Sequence, residues 1–283
     1  MRWTPGGVSD DVEDDRSSSS GGGGFPGGIH IGIGGILILV VLSFIFKRDL
    51  LTPFLGGSST PQSTQSAPAA PQQSAAEQRE VQFVSFVLDD VQKTWTKIIP
   101  NYRHAKLVLY RGGIDSACGL AQTATGPFYC PGDEKVYLDL SFFNELKNQL
   151  GASGEFAQAY VIAHEIGHHV QKIVGTEQKV RQEVGSNPKM RNAISVRVEL
   201  QADCYAGVWA NSTQRRDLLE TGDVASAMNA AAAVGDDHLQ KMETGRVMPD
   251  KFTHGTSAQR TYWFQQGFTA GSPTACDTFS SSQ

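Results

Sequence analysis

The chain has 283 residues, with 24 Lys plus Arg against 29 Asp plus Glu and a net charge of −5. That length allows one or two domains. The acidic balance, with no Lys/Arg cluster along any expected helix face, leaves nothing to neutralise phosphates, so nucleic acid is excluded as an expected partner.

In chain order, residues 1–28 mix acid, serine and glycine (MRWTPGGVSDDVEDDRSSSSGGGGFPGG). Such a stretch buries too little apolar surface to offset chain entropy and is expected to be a disordered tail. Residues 29–46 (IHIGIGGILILVVLSFIF) carry no charge. As a helix they would rise about 27 Å, close to the hydrocarbon thickness of a bilayer, which predicts a single transmembrane anchor. A cleaved signal peptide fits less well, because no small-residue cleavage site follows directly. Residues 56–76 contain Pro, Ser and Gln without charge and predict a flexible linker, leaving 77–283 as one globular domain.

Orientation across a membrane draws on two opposed signals. Lys47 and Arg48 directly after the apolar run favour a cytoplasmic domain. Four cysteines, all beyond the run, make an even set suited to two bridges in an oxidising compartment. Cys118 and Cys130 flank a Gly-Pro turn and would staple a hairpin, leaving Cys204 to join Cys276. Four reduced, buried thiols are the alternative. The cysteine argument places the domain on the exported face.

Within the domain, apolar residues at helical spacing from Val81 to Ile98 predict a helix over 77–99, stopped by Pro100. Strands are expected over 106–111 and 134–140, with a hairpin over 117–130. Helices are expected over 141–149, 155–173, 189–211, 223–243 and 257–268. A small N-terminal sheet followed by helices is an α+β order.

The chemistry sits in YVIAHEIGHHVQ. His164 and His168 lie one turn apart on one helix face and can grip a single ion, while Glu165 projects beside it, where a general base belongs. The strand-like VYLDL before this helix offers an edge along which a peptide could lie. A catalytic zinc takes three protein ligands, so a third must come from another element. In SVRVELQADCYAGVW, Glu199 and Asp203 share a helix face amid small apolar residues. Burial there demands partners: zinc for Glu199, and for Asp203 the far nitrogen of a ligating histidine. His254 and Arg260, in HGTSAQR, are further candidates, His254 as a donor to a developing oxyanion. Thr256 or Ser257 as a helix cap with Arg260 in a surface ion pair explains the same residues without catalysis.

HEIGHH followed by ELQAD resembles the gluzincin arrangement. With CGLAQTATGPFYCPGDEKVYLDLSFF, VELQADCYAGVWA, HGTSAQRTYWFQQGF and the MRW start, the chain is similar to the bacterial putative neutral zinc metallopeptidase family. The resemblance implies a zincin-like core, bound zinc (Zn2+) and a peptide or protein substrate. A catalytically silent, zinc-stabilised membrane scaffold is the competing expectation. It would need a fourth protein ligand, and none is evident.

Overall fold

The computed structural model describes residues 1–17, 74–123 and 126–280. Its first element is strand β1 (Val12–Asp14). Helix α1 (Ala75–Ile98) follows, opened by the Ser74 side chain accepting the Glu77 amide. The strands β2 (Lys106–Tyr110), β3 (Gly113–Ser116), β4 (Gly119–Gln122), β5 (Phe128–Cys130) and β6 (Lys135–Asp139) come next. The rest is helical: α2 (Ser141–Asn148), α3 (Glu155–Ile173), α4 (Thr176–Ser186), α5 (Arg191–Arg215), α6 (Asp223–Ala233), α7 (Asp236–Thr244) and α8 (Ser257–Ala270).

Four strands form a sheet in the order β1-β2-β6-β5, with β1, β2 and β6 parallel and β5 antiparallel to β6. In the run KLVLY, Leu107 and Leu109 face the main core with α1 and α3. Val108 and Tyr110 face a smaller cluster with Ala121, Cys130 and Tyr137. A sheet covered on both sides reads as a continuous apolar run rather than an alternating one. β6 lies between β2 and β5, so it is not the free edge that its sequence suggested; β5 is. The hairpin expected over 117–130 is also displaced. β3 pairs with β4 over 113–122, and β5 joins the larger sheet. Cys118–Cys130 therefore ties the turn of that hairpin to β5, and Cys204–Cys276 ties α5 to the C-terminal segment. Closing a 72-residue separation contributes on the order of 4 kcal/mol through the unfolded state.

Residues 1–17 correct the expectation of a disordered tail. β1 pairs with β2, Trp3 packs edge-on against Phe83 at 5.3 Å, and its indole donates to Glu155 at 3.1 Å. Arg16 is buried between Asp14 and Glu77. Residues 1–16 and 73–283 thus form one compact unit. The α+β order with a small sheet and helical core stands, but the preceding single-pass transmembrane helix does not. The apolar run 29–46 and residues 56–73 of the expected linker lie outside the described residues. Among the described residues, no helix is long and apolar enough to cross a membrane. The longest, α1 and α5, carry charge along their length, as at Glu80, Asp89 and Lys93 or Arg197, Glu199 and Asp203. The membrane anchor and the exported-face placement built on it are withdrawn.

Two helical differences bear on the site. The single helix expected over 223–243 is broken into α6 and α7 because backbone groups at the break are recruited elsewhere. The Val234 carbonyl accepts from Arg260 at 3.2 Å, and the Asp236 amide donates to Gly255 O at 2.8 Å. α4 was not expected, since TEQKVRQEVGS shows almost no apolar periodicity.

Candidate metal centre

α3 is the buried centre of the helical half, packed against α1, α5 and α6. Gly167, between the two motif histidines, lets α3 meet the α5 backbone. A Cβ there would lie 3.0 Å from Ala202 O and 3.1 Å from its Cα. Contact at Ala202 places Glu199 and Asp203, on neighbouring turns of α5, opposite His164 and His168. Replacing Gly167 by alanine should therefore force two backbones apart and cost about 1–3 kcal/mol, as overpacking does. A denaturant midpoint equal to that of the wild type would show that α3 and α5 are not held by this contact. A second close approach brings α8 to α5: a Cβ at Gly267 would overlap the Cys204 carbonyl, and one at Gly207 the Phe264 carbonyl. That crossing delivers Arg260 to Asp203.

His164, His168 and Glu199 offer three ligand atoms within 4.8 Å of one another. Nε2 of His164 lies 3.2 Å from Glu199 Oε2, and Nε2 of His168 lies 3.5 Å from Oε1. The two imidazoles stand nearly perpendicular, with centroids 4.8 Å apart. Both far nitrogens are engaged. Nδ1 of His164 bonds Asp203 Oδ1 at 2.9 Å, and Nδ1 of His168 bonds Gln171 Oε1 at 2.9 Å. Two nitrogens and a carboxylate oxygen, converging with the rings fixed from behind, fit the donor set of zinc.

Charge in the site is balanced in pairs. Asp203 is fully buried and accepts from Arg260 Nε at 2.8 Å and Nη2 at 3.0 Å. The Tyr160 hydroxyl also donates to it. Burial alone would raise the Asp203 carboxyl, but Arg260 and His164 outweigh it and hold it below its ordinary value. Burial likewise opposes ionisation of Glu199, yet His168 and His164 hold it far below the usual range. Glu165 differs. Burial dominates and raises its pKa, against the nearby histidines and a hydrogen bond from the Tyr129 backbone amide of β5. A buried carboxylate with a raised pKa beside a metal site is suited to accepting a proton.

The remaining sequence candidates fall in distinct places. Arg260 is buried rather than in a surface pair, and Thr256 caps α8 with a capping box through Gln259. His254 precedes that cap on a loop whose Gly255 lies against Val196 and Leu200 of α5, which flank Glu199. Asp236 organises the loop. Its Oδ2 accepts the amides of Thr253, His254 and Gly255 within 2.9 Å, and its Oδ1 meets His254 Nδ1 at 3.1 Å. The Asp236 bond raises the His254 pKa, with the Glu199 charge adding to it. His254 is not among the three convergent ligands. His169 is fully buried, with Nε2 donating to Arg103 O at 2.7 Å and Nδ1 accepting from Tyr129 Oη at 3.0 Å, so it clamps α3 to β5. Sequence reasoning missed Gln171 and Asp236. The available signals were Gln171 three residues after His168 on the same helix, and an acidic pair, Asp236-Asp237, opening α7.

The sequence model of the putative neutral zinc metallopeptidase family matches residues 1–279. The chain belongs to this family. The match to the zinc metallopeptidase model begins at residue 1, so it includes the N-terminal strand that completes the sheet. The chain is 48% identical over 290 aligned positions to Uncharacterized protein YpfJ of Escherichia coli, covering 100% of both. It is 43% identical over 203 positions to Uncharacterized protein Rv2575 of Mycobacterium tuberculosis, covering 68% of each. No solved structure gives a significant match.

Proposed function

We propose that the chain hydrolyses peptide bonds as a zinc-dependent peptidase, with zinc held by His164, His168 and Glu199 and with Glu165 as general base. The observation that carries this reading is the count of convergent ligands. Among the described residues, three side chains from two helices meet, as a catalytic site requires, whereas a structural zinc takes four. Cys204, the nearest soft ligand in sequence, is committed to its bridge with Cys276 and supplies no thiolate. That observation disfavours the silent zinc-stabilised scaffold.

Bound zinc would supply a Lewis acid that acidifies water and polarises a carbonyl. Glu165 takes the proton of the attacking water and passes it to the leaving amine nitrogen. Asp203 and Gln171 keep the imidazole protons on Nδ1, so each Nε2 stays free to ligate. β5 is the free edge next to Glu165, and an extended peptide pairing there would present its scissile carbonyl at the site. Asp236 favours the imidazolium form of His254, whose Nε2–H is then available as a donor to the oxyanion that develops.

The test is incubation of the zinc-loaded protein with a proteome-derived peptide library, read by mass spectrometry beside its Glu165→Gln variant. Cleavage products confined to the wild type support the proposal; identical product sets from both remove it. His254→Ala should keep the zinc content and lower kcat by roughly 10²-fold, as loss of an oxyanion donor does. A change confined to KM would assign His254 to substrate binding instead.

A further inference from the structure

We propose that Gln171 and Gln201 are positioning residues for His168, holding its Nδ1 proton through a one-way relay of amides that ends on the Cys276 carbonyl. The proposal rests on the reading of His168 as a zinc ligand; it adds to the support that Gln171 gives His168 a second glutamine, Gln201, which the catalytic scheme leaves unused.

The direction of the relay follows from its two ends. The Gln201 amide nitrogen lies 2.9 Å from the Cys276 carbonyl, an acceptor only, so this end of Gln201 must be its NH2. Its oxygen then faces Gln171 Nε2 at 3.1 Å. Gln171 Nε2 also lies 2.7 Å from Val198 O, a second obligatory acceptor. Both of its donors are thereby used, and its oxygen is the atom left for His168 Nδ1 at 2.9 Å. An oxygen there accepts, so Nδ1 carries the hydrogen and the Nε2 lone pair turns toward Glu199, 3.5 Å away. Backbone carbonyls at two points leave one consistent orientation for both amides. Gln171, Gln201 and Cys276 are all buried, so water does not compete for these bonds.

The two motif histidines are thus supported by different chemistry. His164 leans on a carboxylate whose charge Arg260 cancels. The Gln171 donors go instead to a carbonyl and to another amide, both neutral. A second carboxylate at this position would add uncompensated negative charge close to Glu199 and leave two carbonyl oxygens facing an acceptor. A neutral amide keeps the Nδ1 tautomer without that cost. The far end is fixed as well: Cys276 is bridged to Cys204 on α5, and Thr278 Oγ1 donates to Arg197 O at 2.7 Å. The C-terminal segment therefore stands behind the metal centre through these bonds.

The test uses the full-length protein with Gln171→Met and Gln201→Met, which keep volume and remove the polar groups. Zinc affinity is read by chelator competition, and the His168 tautomer by 15N NMR of the metal-free protein with labelled histidine. Gln171→Met is expected to weaken zinc roughly 10–100-fold, as loss of a partner behind a ligating histidine does, and to turn a single Nδ1–H tautomer into a mixture. Gln201→Met should act in the same direction by a few-fold, and the double variant should lose little beyond Gln171→Met, because the two act in series. An unchanged His168 tautomer in Gln171→Met overturns the proposal, as does full additivity of the two substitutions in affinity. The tautomer is read without zinc, so a wild type that binds no zinc removes the peptidase reading while the relay is still decided. Should Gln171→Met fail to fold, Gln201→Met, which touches no ligand, carries the tautomer comparison alone.

Discussion

Glu165→Gln is expected to lower the rate of peptide cleavage by roughly 10²–10⁴-fold, the range of a lost general base, while zinc content stays that of the wild type. The two halves of this result have separate origins. Glu165 is not one of the three convergent ligands, so the donor set is intact in the variant. Its carboxylate accepts the Tyr129 backbone amide, and the oxygen of a glutamine can accept the same bond, so β5 keeps its place beside α3. What disappears is the ability to take a proton from water. Burial makes that ability sizeable in the wild type, because it raises the pKa of the carboxyl above its ordinary value. The measurement is a single-turnover or steady-state rate on one cleaved peptide, with metal content by atomic absorption on the same samples. A variant that cleaves as fast as the wild type sinks the mechanism. A variant that loses its zinc assigns Glu165 to the ligand set.

The parts of this site that were legible in the sequence share one property: the partners lie on a single element. His164 with His168, and Glu199 with Asp203, are i, i+4 pairs whose common face follows from helix geometry alone. The structure brings those two faces together at Gly167 and Ala202. Arg260 was not legible in the same way. Its hydrogen-bond partner Asp203 is 57 residues away, and an arginine in the first turn after a Thr cap reads as solvent-exposed until α8 is seen to cross α5 at Gly267. The N-terminal strand was hidden for a related reason. VED is three residues long with little apolar character, and it pairs with Leu107, Val108 and Leu109 across more than ninety positions of chain. Composition judged residues 1–17 by how much surface they could bury alone. They are ordered instead by a sheet edge and by a socket for Trp3 that the rest of the chain provides. The single-pass anchor has no counterpart among the described residues, where no helix is long and apolar enough to cross a membrane.

Asp203→Ala is the second large effect expected, and it separates a function that the sequence suggested from one that it did not. Asp203 was first read as an acceptor for a ligating histidine, and it does bond His164 Nδ1 at 2.9 Å. It is also the anion for Arg260, which is 3% exposed and whose other neighbours are Val234 O at 3.2 Å, the Tyr160 hydroxyl at 3.3 Å, the His164 ring nitrogens at 3.4 and 3.5 Å and a distant Glu199 oxygen at 3.9 Å. Removing one partner of a buried pair leaves an uncompensated charge, and the expected loss of stability is about 3–5 kcal/mol. Replacing both partners by apolar residues of similar volume, Asp203→Leu with Arg260→Met, should recover most of that loss, because no charge is then stranded. Zinc affinity should not recover with it. His164 lacks its acceptor in both variants, so each is expected to bind zinc roughly 10–100-fold more weakly than the wild type. Urea unfolding in the presence of chelator gives the first quantity and chelator competition gives the second. A double variant that regains wild-type zinc affinity along with stability would show that Asp203 serves the metal only by holding the fold. A single variant as stable as the wild type would show that Arg260 finds solvent once Asp203 is gone.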